Sequence, residues 1–71
     1  MLTMGECLKK YREKAGYTQD DVAEELDATS YTVKMWECNR NVPSLFKVWH
    51  LADLYNVSID ELIGRTQKEE E

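Results

Sequence analysis

The region that most constrains the fold is residues 18–37, which carries the signals of two short helices joined by a tight turn. Thr18 and Thr29 stand where helix N-caps are expected, because a threonine hydroxyl can accept a hydrogen bond from the first turn of a helix. The apolar residues of this region recur at helical spacing, so each helix can bury one face against the other. They are Val22, Ala23, Leu26, Ala28, Val33 and Trp36. Such a pair of helices leaves the outer face of its second helix free to enter a groove, which makes DNA the first partner to consider.

Three further helices are predicted around this pair, so the fold class is all-α. The five predicted helices span Met4–Ala15, Gln19–Leu26, Ser30–Cys38, Leu45–Tyr55 and Ile59–Ile63. Thr3 with Glu6, and Ser58 with Glu61, have the spacing of a capping box at a helix start. The residues expected in left-handed geometry at helix ends are Gly16, Asn56 and Gly64. No run of alternating β-branched residues bounded by a hairpin turn competes with this assignment.

The length of 71 residues predicts one domain, and an apolar content of 42% is sufficient for a folded core. We assign residues 1–66 to this domain and expect residues 67–71, which are polar and acidic, to form a disordered tail. No segment approaches 18 consecutive apolar residues, so no membrane span is predicted. The first six residues lack a basic region followed by an apolar run, so a secretory signal is not predicted and the expected location is the cytoplasm.

Cys7, Cys38 and His50 are too few and too scattered to form a zinc site or a disulfide framework. We expect both cysteines to be reduced thiols, with a disulfide or redox switch as the alternative. His50 has no neighbour in the sequence that would make it catalytic, and we interpret it as a surface residue. No nucleophile–base set, metal cluster or phosphate loop is recognisable. The sequence therefore predicts neither an enzyme nor a bound cofactor, and it shows no signature of a small-molecule ligand.

The formal net charge of -5 and the pI near 4.8 are unusual for a nucleic-acid-binding protein. Part of the excess is in the tail, because residues 1–66 hold 8 basic and 11 acidic residues. The acidic residues Asp20, Asp21, Glu24 and Glu25 are interpreted as a solvated helix face rather than a catalytic or cation site. The local field at a contacting face matters more for DNA than the sum, but the total predicts weak non-specific binding.

In sequence order, the local motifs resemble the Cro/CI-type (XRE-like) helix-turn-helix regulators. The resemblance covers Leu8 to Arg65, and no single motif carries it alone. The matching motifs are Leu8-Lys9-Lys10-Tyr11-Arg12, Gly16-Tyr17-Thr18-Gln19, Val22-Ala23-x-x-Leu26, Val33-x-x-Trp36-Glu37, Pro43-Ser44-Leu45 and Leu51-Ala52-x-x-Tyr55-x-Val57-Ser58-x-x-Glu61-Leu62. Two departures are Asp27, where the family prefers a glycine in the turn, and Asn39, which replaces the usual glycine after the third helix.

This resemblance implies a compact five-helix, lambda-repressor-like DNA-binding domain with the helix-turn-helix at helices 2 and 3. It implies that the third helix is the recognition helix, whose first residues reach base edges in the major groove. The implied base-reading residues are Ser30, Tyr31, Lys34 and Met35. The alternative is that these are ordinary solvated residues of a surface helix.

The family also uses the position of Gln19, together with nearby backbone N–H groups, to hold a phosphate, which agrees with the preference of helix N-termini for anions. The alternative for Gln19 is an exposed residue that bonds only water. The residues after the third helix and at the start of the fourth are further candidates for phosphate contacts, or else form a polar loop. These candidates are Asn39, Arg40, Asn41 and Lys47.

Arg12 and Glu37 resemble a structural ion pair of the family that would fasten the first helix to the recognition helix, although Arg12 could instead contact phosphate. Trp36 is predicted to lie in the core. Trp49 is unusual for the family; with Phe46 it forms either a dimer patch or the edge of the core. The family's usual dimer surface implies a second candidate region, around Asn56, Val57 and Ile59.

The predicted function is therefore sequence-specific binding of double-stranded DNA by a transcriptional regulator of repressor type. One recognition helix reads only a few base pairs, so useful specificity implies a homodimer on a two-fold operator. The alternative is a protein-interaction module of the same fold, of the antitoxin or anti-repressor type, with weak or no DNA binding.

Overall fold

Five α-helices form in the predicted order in a computed structural model that describes residues 1–65. They are α1 (Met4–Lys14), α2 (Gln19–Glu25), α3 (Ser30–Glu37), α4 (Leu45–Tyr55) and α5 (Ile59–Ile63). The bounds of α4 and α5 are those predicted. The other three helices each end one residue before the predicted end, because Ala15, Leu26 and Cys38 are C-caps. Residues 1–65 contain no strand, so the predicted all-α fold class is confirmed. The predicted acidic tail, residues 67–71, lies outside the described residues.

Hydroxyl caps fix where each helix begins. Each N-cap hydroxyl accepts a hydrogen bond from the backbone N–H three residues later: Thr3, Thr18, Thr29, Ser44 and Ser58. The capping boxes predicted at the starts of α1 and α5 are present. A third box joins Thr18 and Asp21, whose carboxylate accepts from the Thr18 N–H at 3.0 Å. The sequence pattern missed this box because Asp takes the role usually filled by Glu or Gln.

Left-handed residues set the angles between successive helices. Asn56 and Gly64 end α4 and α5 as predicted, with φ of 59° and 88°. Asp27, in the turn between α2 and α3, has φ of 55°, a geometry in which a glycine would avoid the steric cost of a Cβ. Asn39 follows α3 with φ of 62°. The two sequence departures from the family therefore fall at positions that Asp and Asn tolerate better than most residues.

The core lies where the five helices meet, and every helix contributes to it. Contacts join α1 to α3 and α5, α2 to α3, and α4 to α5. The buried cluster consists of Leu8, Val22, Ala23, Leu26, Val33, Trp36, Val48, Leu51, Ala52, Tyr55 and Leu62. Trp36 is a core residue, as predicted. None of the helices within residues 1–65 combines the length and apolar character needed to cross a membrane.

A very close approach between helices occurs at Gly5, near the start of α1. A Cβ placed there would lie 2.5 Å from the carbonyl oxygen of Glu37 and 2.8 Å from that of Trp36. Because real Cβ atoms do not approach backbone oxygens so closely, any larger residue would push the first turn of α1 away from the end of α3. Gly5 therefore sets the distance between α1 and the recognition helix.

We expect Gly5→Ala to lower the free energy of unfolding by about 1–2 kcal/mol, because the added methyl group overpacks the contact between α1 and α3. Helix propensity alone predicts the opposite sign, a gain of up to about 1 kcal/mol. Urea denaturation followed by circular dichroism measures the difference. Lys9→Ala, at an exposed position of the same helix, serves as the control and should be near neutral. An alanine variant at position 5 as stable as the wild type would contradict the close approach.

Candidate nucleic-acid interface

Helix α3, the recognition helix that the family resemblance implies, has a buried side and an exposed side. Val33 and Trp36 are buried in the core, which fixes the helix from behind. Tyr31 is 67% exposed and Lys34 is also exposed, three residues apart and therefore on one face. Ser30 and Met35 are half-buried at the margins of that face. Of the four predicted base-reading residues, the structure thus leaves two fully accessible and two partly covered.

An ion pair fastens the end of α3 to α1. The Arg12 guanidinium donates to both carboxylate oxygens of Glu37, from Nε to Oε2 at 2.7 Å and from Nη2 to Oε1 at 3.1 Å. Both side chains are buried. Arg12 also donates from Nη1 to the carbonyl oxygen of Tyr17 at 2.9 Å, just before α2. These bonds hold Arg12 in the structural role rather than leaving it free for a phosphate, and the hydrogen bond to Glu37 raises the pKa of Arg12.

Gln19 joins the same carboxylate from the first turn of α2. Its Nε2 donates to Oε1 of Glu37 at 3.1 Å, and the side chain is half-buried. The alternative that Gln19 bonds only water is therefore wrong. Glu37 accepts hydrogen bonds from α1 and α2 at once. The pKa of Tyr55 on α4 is raised, first by burial of its hydroxyl group and second by the nearby negative charge of Glu37. One carboxylate thus links the recognition helix to the residues around it.

Asn39 uses both ends of its side chain inside the protein. Its Oδ1 accepts from the Gly5 N–H at 2.9 Å, and its Nδ2 donates to the Thr3 hydroxyl at 2.9 Å. The left-handed backbone at Asn39 turns the side chain back toward the start of α1. These bonds make Asn39 a link between α3 and α1, and, as in Gln19, one N–H of its side-chain amide is not used by them.

Lys47 is likewise occupied. Its ammonium donates to the carbonyl oxygen of Leu26, the C-cap of α2, at 2.6 Å. The last turn of α2 contains no basic residue of its own, so a cation from α4 supplies the positive charge that a helix C-terminus favours. That deficit of basic residues in α2 is the one sequence signal that could have suggested this role.

Arg40 and Asn41 remain available for an outside partner. Both residues are exposed, and their backbone N–H groups bond to the carbonyl oxygen of Met35, which keeps them against the end of α3. Within residues 1–65 the guanidinium of Arg40 takes part in no ion pair. Of the five predicted phosphate contacts, only these two side chains are unengaged, and Gln19 has one amide N–H committed to Glu37.

The remaining candidate groups are dispersed. Neither Cys7 nor Cys38 is part of a disulfide within residues 1–65; Cys7 is buried, which raises its pKa, and Cys38 is exposed at the end of α3. His50 is exposed on α4. In the described part of the chain, no group of three or more His, Cys, Asp or Glu side chains is arranged to hold a metal ion.

We expect Glu37→Gln to lower the free energy of unfolding by about 3 kcal/mol, because it removes the buried counter-charge of Arg12 and leaves only the exposed carboxylate of Glu13, 3.9 Å away. Chemical denaturation measures the loss. The double variant Arg12→Met with Glu37→Met should recover most of it, since well-packed apolar residues often replace a buried ion pair at little cost. Equal destabilisation in the single and double variants would show that the charge pairing is not the cause.

The chain matches known helix-turn-helix proteins over nearly all of its length. The model of the family described as "Helix-turn-helix domain" matches residues 5–68. The HTH-type transcriptional regulator ImmR of Bacillus subtilis (strain 168) is 36% identical over 66 residues, which is 93% of this chain and 52% of ImmR. The chain therefore spans about half the length of this curated relative.

Solved structures agree on the fold. A transcriptional regulator from Listeria innocua superposes with a TM-score of 0.82 at 29% identity, covering 93% of this chain and 62% of the other. The P22 c2 repressor protein, solved in complex with a synthetic operator, gives a TM-score of 0.80 over 89% of this chain and 96% of the other, and at 21% identity it supports the fold alone. With the capping pattern, the left-handed turn and the exposed face of α3, these matches establish that the chain belongs to the XRE-like helix-turn-helix domain family.

Proposed function

We propose that this domain binds duplex DNA in a sequence-dependent manner through α3 and acts as a transcriptional regulator of the repressor type. The observation that carries the proposal is the two-sided character of α3. Its inner side is fixed by Val33, Trp36 and the carboxylate of Glu37, while Tyr31 and Lys34 project from the outer side. A helix held in this way can enter a major groove without paying to become ordered.

The side chains of this face suit base recognition. Lys34 can donate to the acceptors of guanine, and Tyr31 can pack on a thymine methyl group or bond a phosphate. Ser30 and Met35, at the margins, would add a hydroxyl contact and an apolar contact. We place the four residues in the order of importance that their exposure suggests, with Tyr31 and Lys34 first.

Phosphate contacts in this proposal come from Gln19, Arg40 and Asn41. Gln19 keeps a second amide N–H besides the one that it gives to Glu37, so its orientation is fixed while a donor remains for a phosphate oxygen. Arg40 and Asn41 would clamp the opposite side of the recognition helix. Asn39 and Lys47 have structural roles in this proposal: Asn39 holds the loop after α3, and Lys47 holds the end of α2.

The acidic charge of the chain makes specificity depend on these few contacts. Asp20, Glu24 and Glu25 are exposed on α2 and add repulsion toward any nucleic acid. Non-specific affinity should therefore be low. A homodimer on a two-fold operator, with half-sites about one helical turn apart, would supply the second set of contacts that one domain lacks.

The same acidic surface supports one other function, a protein-interaction module of the antitoxin or anti-repressor type that has little affinity for DNA. A basic partner protein would find complementary charge on α2. The two functions differ in their behaviour toward random duplex DNA at low salt, which a regulator binds weakly and an interaction module does not bind.

Selection of bound sequences from a random duplex pool should return a two-fold symmetric motif. Tyr31→Ala and Lys34→Ala should each weaken binding to that motif by about 1–3 kcal/mol and relax its sequence preference, because base contacts carry discrimination. Lys9→Ala removes the same charge as Lys34→Ala from an exposed position on α1 and should leave the motif unchanged. Unaltered selectivity in both α3 variants, with unaltered helical content, would exclude α3 as the reading element.

Arg40→Gln should weaken binding to all sequences alike and reduce the slope of log K against log salt by about 1, as loss of one phosphate contact requires. Lys47→Gln is the comparison. Because the Lys47 ammonium is bonded to the carbonyl oxygen of Leu26, its loss should lower the free energy of unfolding and leave the salt slope unchanged. The quantities are measured by fluorescence anisotropy between low and moderate salt. No binding of the wild type to any duplex at low salt would favour the interaction module.

A further inference from the structure

A row of large apolar side chains lies exposed on one face at the start of α4 and in the loop before it. Val42, Leu45, Phe46 and Trp49 are exposed by 77%, 66%, 75% and 54%. Within α4, Leu45 and Phe46 are four and three residues from Trp49 and so lie beside it on the helix surface, and Val42 precedes them in the loop. These four residues are here called the α4 stripe. The opposite face of α4 supplies Val48, Leu51, Ala52 and Tyr55 to the core. The α4 stripe is therefore additional to the core and not its edge.

Few charged residues accompany the α4 stripe in the sequence. In a chain with 32% charged residues, the only formal charge between residues 41 and 52 is that of Lys47. Its ammonium is turned to the carbonyl oxygen of Leu26 on α2. Depletion of charge around exposed aromatic side chains is what distinguishes the centre of a protein–protein interface from ordinary surface.

We propose that the α4 stripe is the surface through which two copies of this chain associate. This proposal names the surface that would form the homodimer of the proposed function. It rests on the proposed function for the biological role of the dimer, but not for its formation. A continuous apolar line on a helix is self-complementary, so the same patch on a second copy can pack against it about a two-fold axis.

The area of the stripe suits a second copy. At the measured exposures, four side chains of this size present roughly 500 Å² of mainly apolar surface, which equals the largest patches of ordinary monomers. Two stripes would bury about 1,000 Å², and their polar margins bring the total toward the lower limit for specific interfaces. An interface at this lower limit is typical of weak, reversible association.

The position of the stripe fits a role in DNA binding. It begins at Val42, two residues after Arg40, so the loop that carries the proposed phosphate contacts runs directly into the interface. By contrast, Val57 and Ile59, in the region that the family resemblance suggested for dimerisation, are half-buried against the core. The apolar surface available to a partner is therefore concentrated on α4.

Two charge-matched variants test this assignment. Phe46→Glu places a negative charge within the stripe at the second residue of α4, where the helix dipole favours an acid and no acidic residue now stands, so folding should be preserved. Asn56→Asp places the same charge at the left-handed end of α4, a geometry that Asp tolerates. Because the helix dipole disfavours an acid at this end, urea denaturation first establishes that both variants are folded. Sedimentation equilibrium without DNA should give a dimer for the wild type and for Asn56→Asp, and a dissociation constant raised at least about tenfold for Phe46→Glu.

Salt dependence adds a second criterion. Two acidic copies repel one another, so screening should strengthen the dimer as salt rises, whereas DNA binding weakens. Because the dimer is measured without DNA, its absence and a failure of DNA binding are separate results. A wild type that stays monomeric at hundreds of micromolar, open-ended association, loss of the dimer in both variants, or its loss only in Asn56→Asp would each overturn the proposal.

Fluorine NMR of the wild type labelled with 5-fluorotryptophan gives an independent test, with Trp49→Phe used only to assign the two tryptophan resonances. The resonance of Trp49 should shift with protein concentration, while that of Trp36, buried in the core, stays fixed. A concentration-dependent shift confined to Trp36, or no shift at either residue, would also overturn the assignment.

Discussion

The carboxylate of Glu37 is the interaction on which the arrangement of the recognition helix depends. It accepts two bonds from Arg12 on α1 and one from Gln19 on α2 while belonging to α3 itself. The core alone would keep these helices together, but apolar packing is not directional and tolerates small rotations. Charged hydrogen bonds in a buried site impose distances and angles. The orientation of Tyr31 and Lys34 toward solvent therefore follows from the burial of Val33 and Trp36 together with the bonds that Glu37 makes at the C-terminal end of the same helix.

Acidic, cationic and apolar side chains lie on different surfaces of the domain. Carboxylates occupy the outside of α2, a few cations and polar groups lie on α3 and the following loop, and apolar groups lie on the outer side of α4. In a small domain this separation lets an acidic protein present a locally favourable face to a phosphate backbone, because screening limits the reach of distant charges to about 10 Å. The overall pI is thus a poor guide to what any one face can bind.

Helix positions were predictable from the sequence because caps and left-handed terminators are local: Thr29 needs only Thr32, and Asn56 needs only its own backbone. The pairing of Arg12 with Glu37 followed from resemblance to a family. The bonds of Asn39 to Thr3 and of Lys47 to Leu26 join residues 36 and 21 positions apart. The lack of a basic residue in the last turn of α2 was a weak local signal for the second bond, and no local pattern indicated the first. Two residues that composition and position suggested for phosphate contacts are therefore bonded within the chain.

The bonds from Asn39 to Thr3 and Gly5 place the first residues of the chain beside the end of α3, and Met1 and Leu2 lie exposed there. Anything fused to the amino terminus, such as a purification tag or a fluorescent label, would leave the protein next to the loop that carries Arg40. In the binding mode proposed above, such an addition would occupy the same space as the duplex. Probes for binding measurements are better attached at exposed sites on α1 such as Lys9, well along the helix from that end.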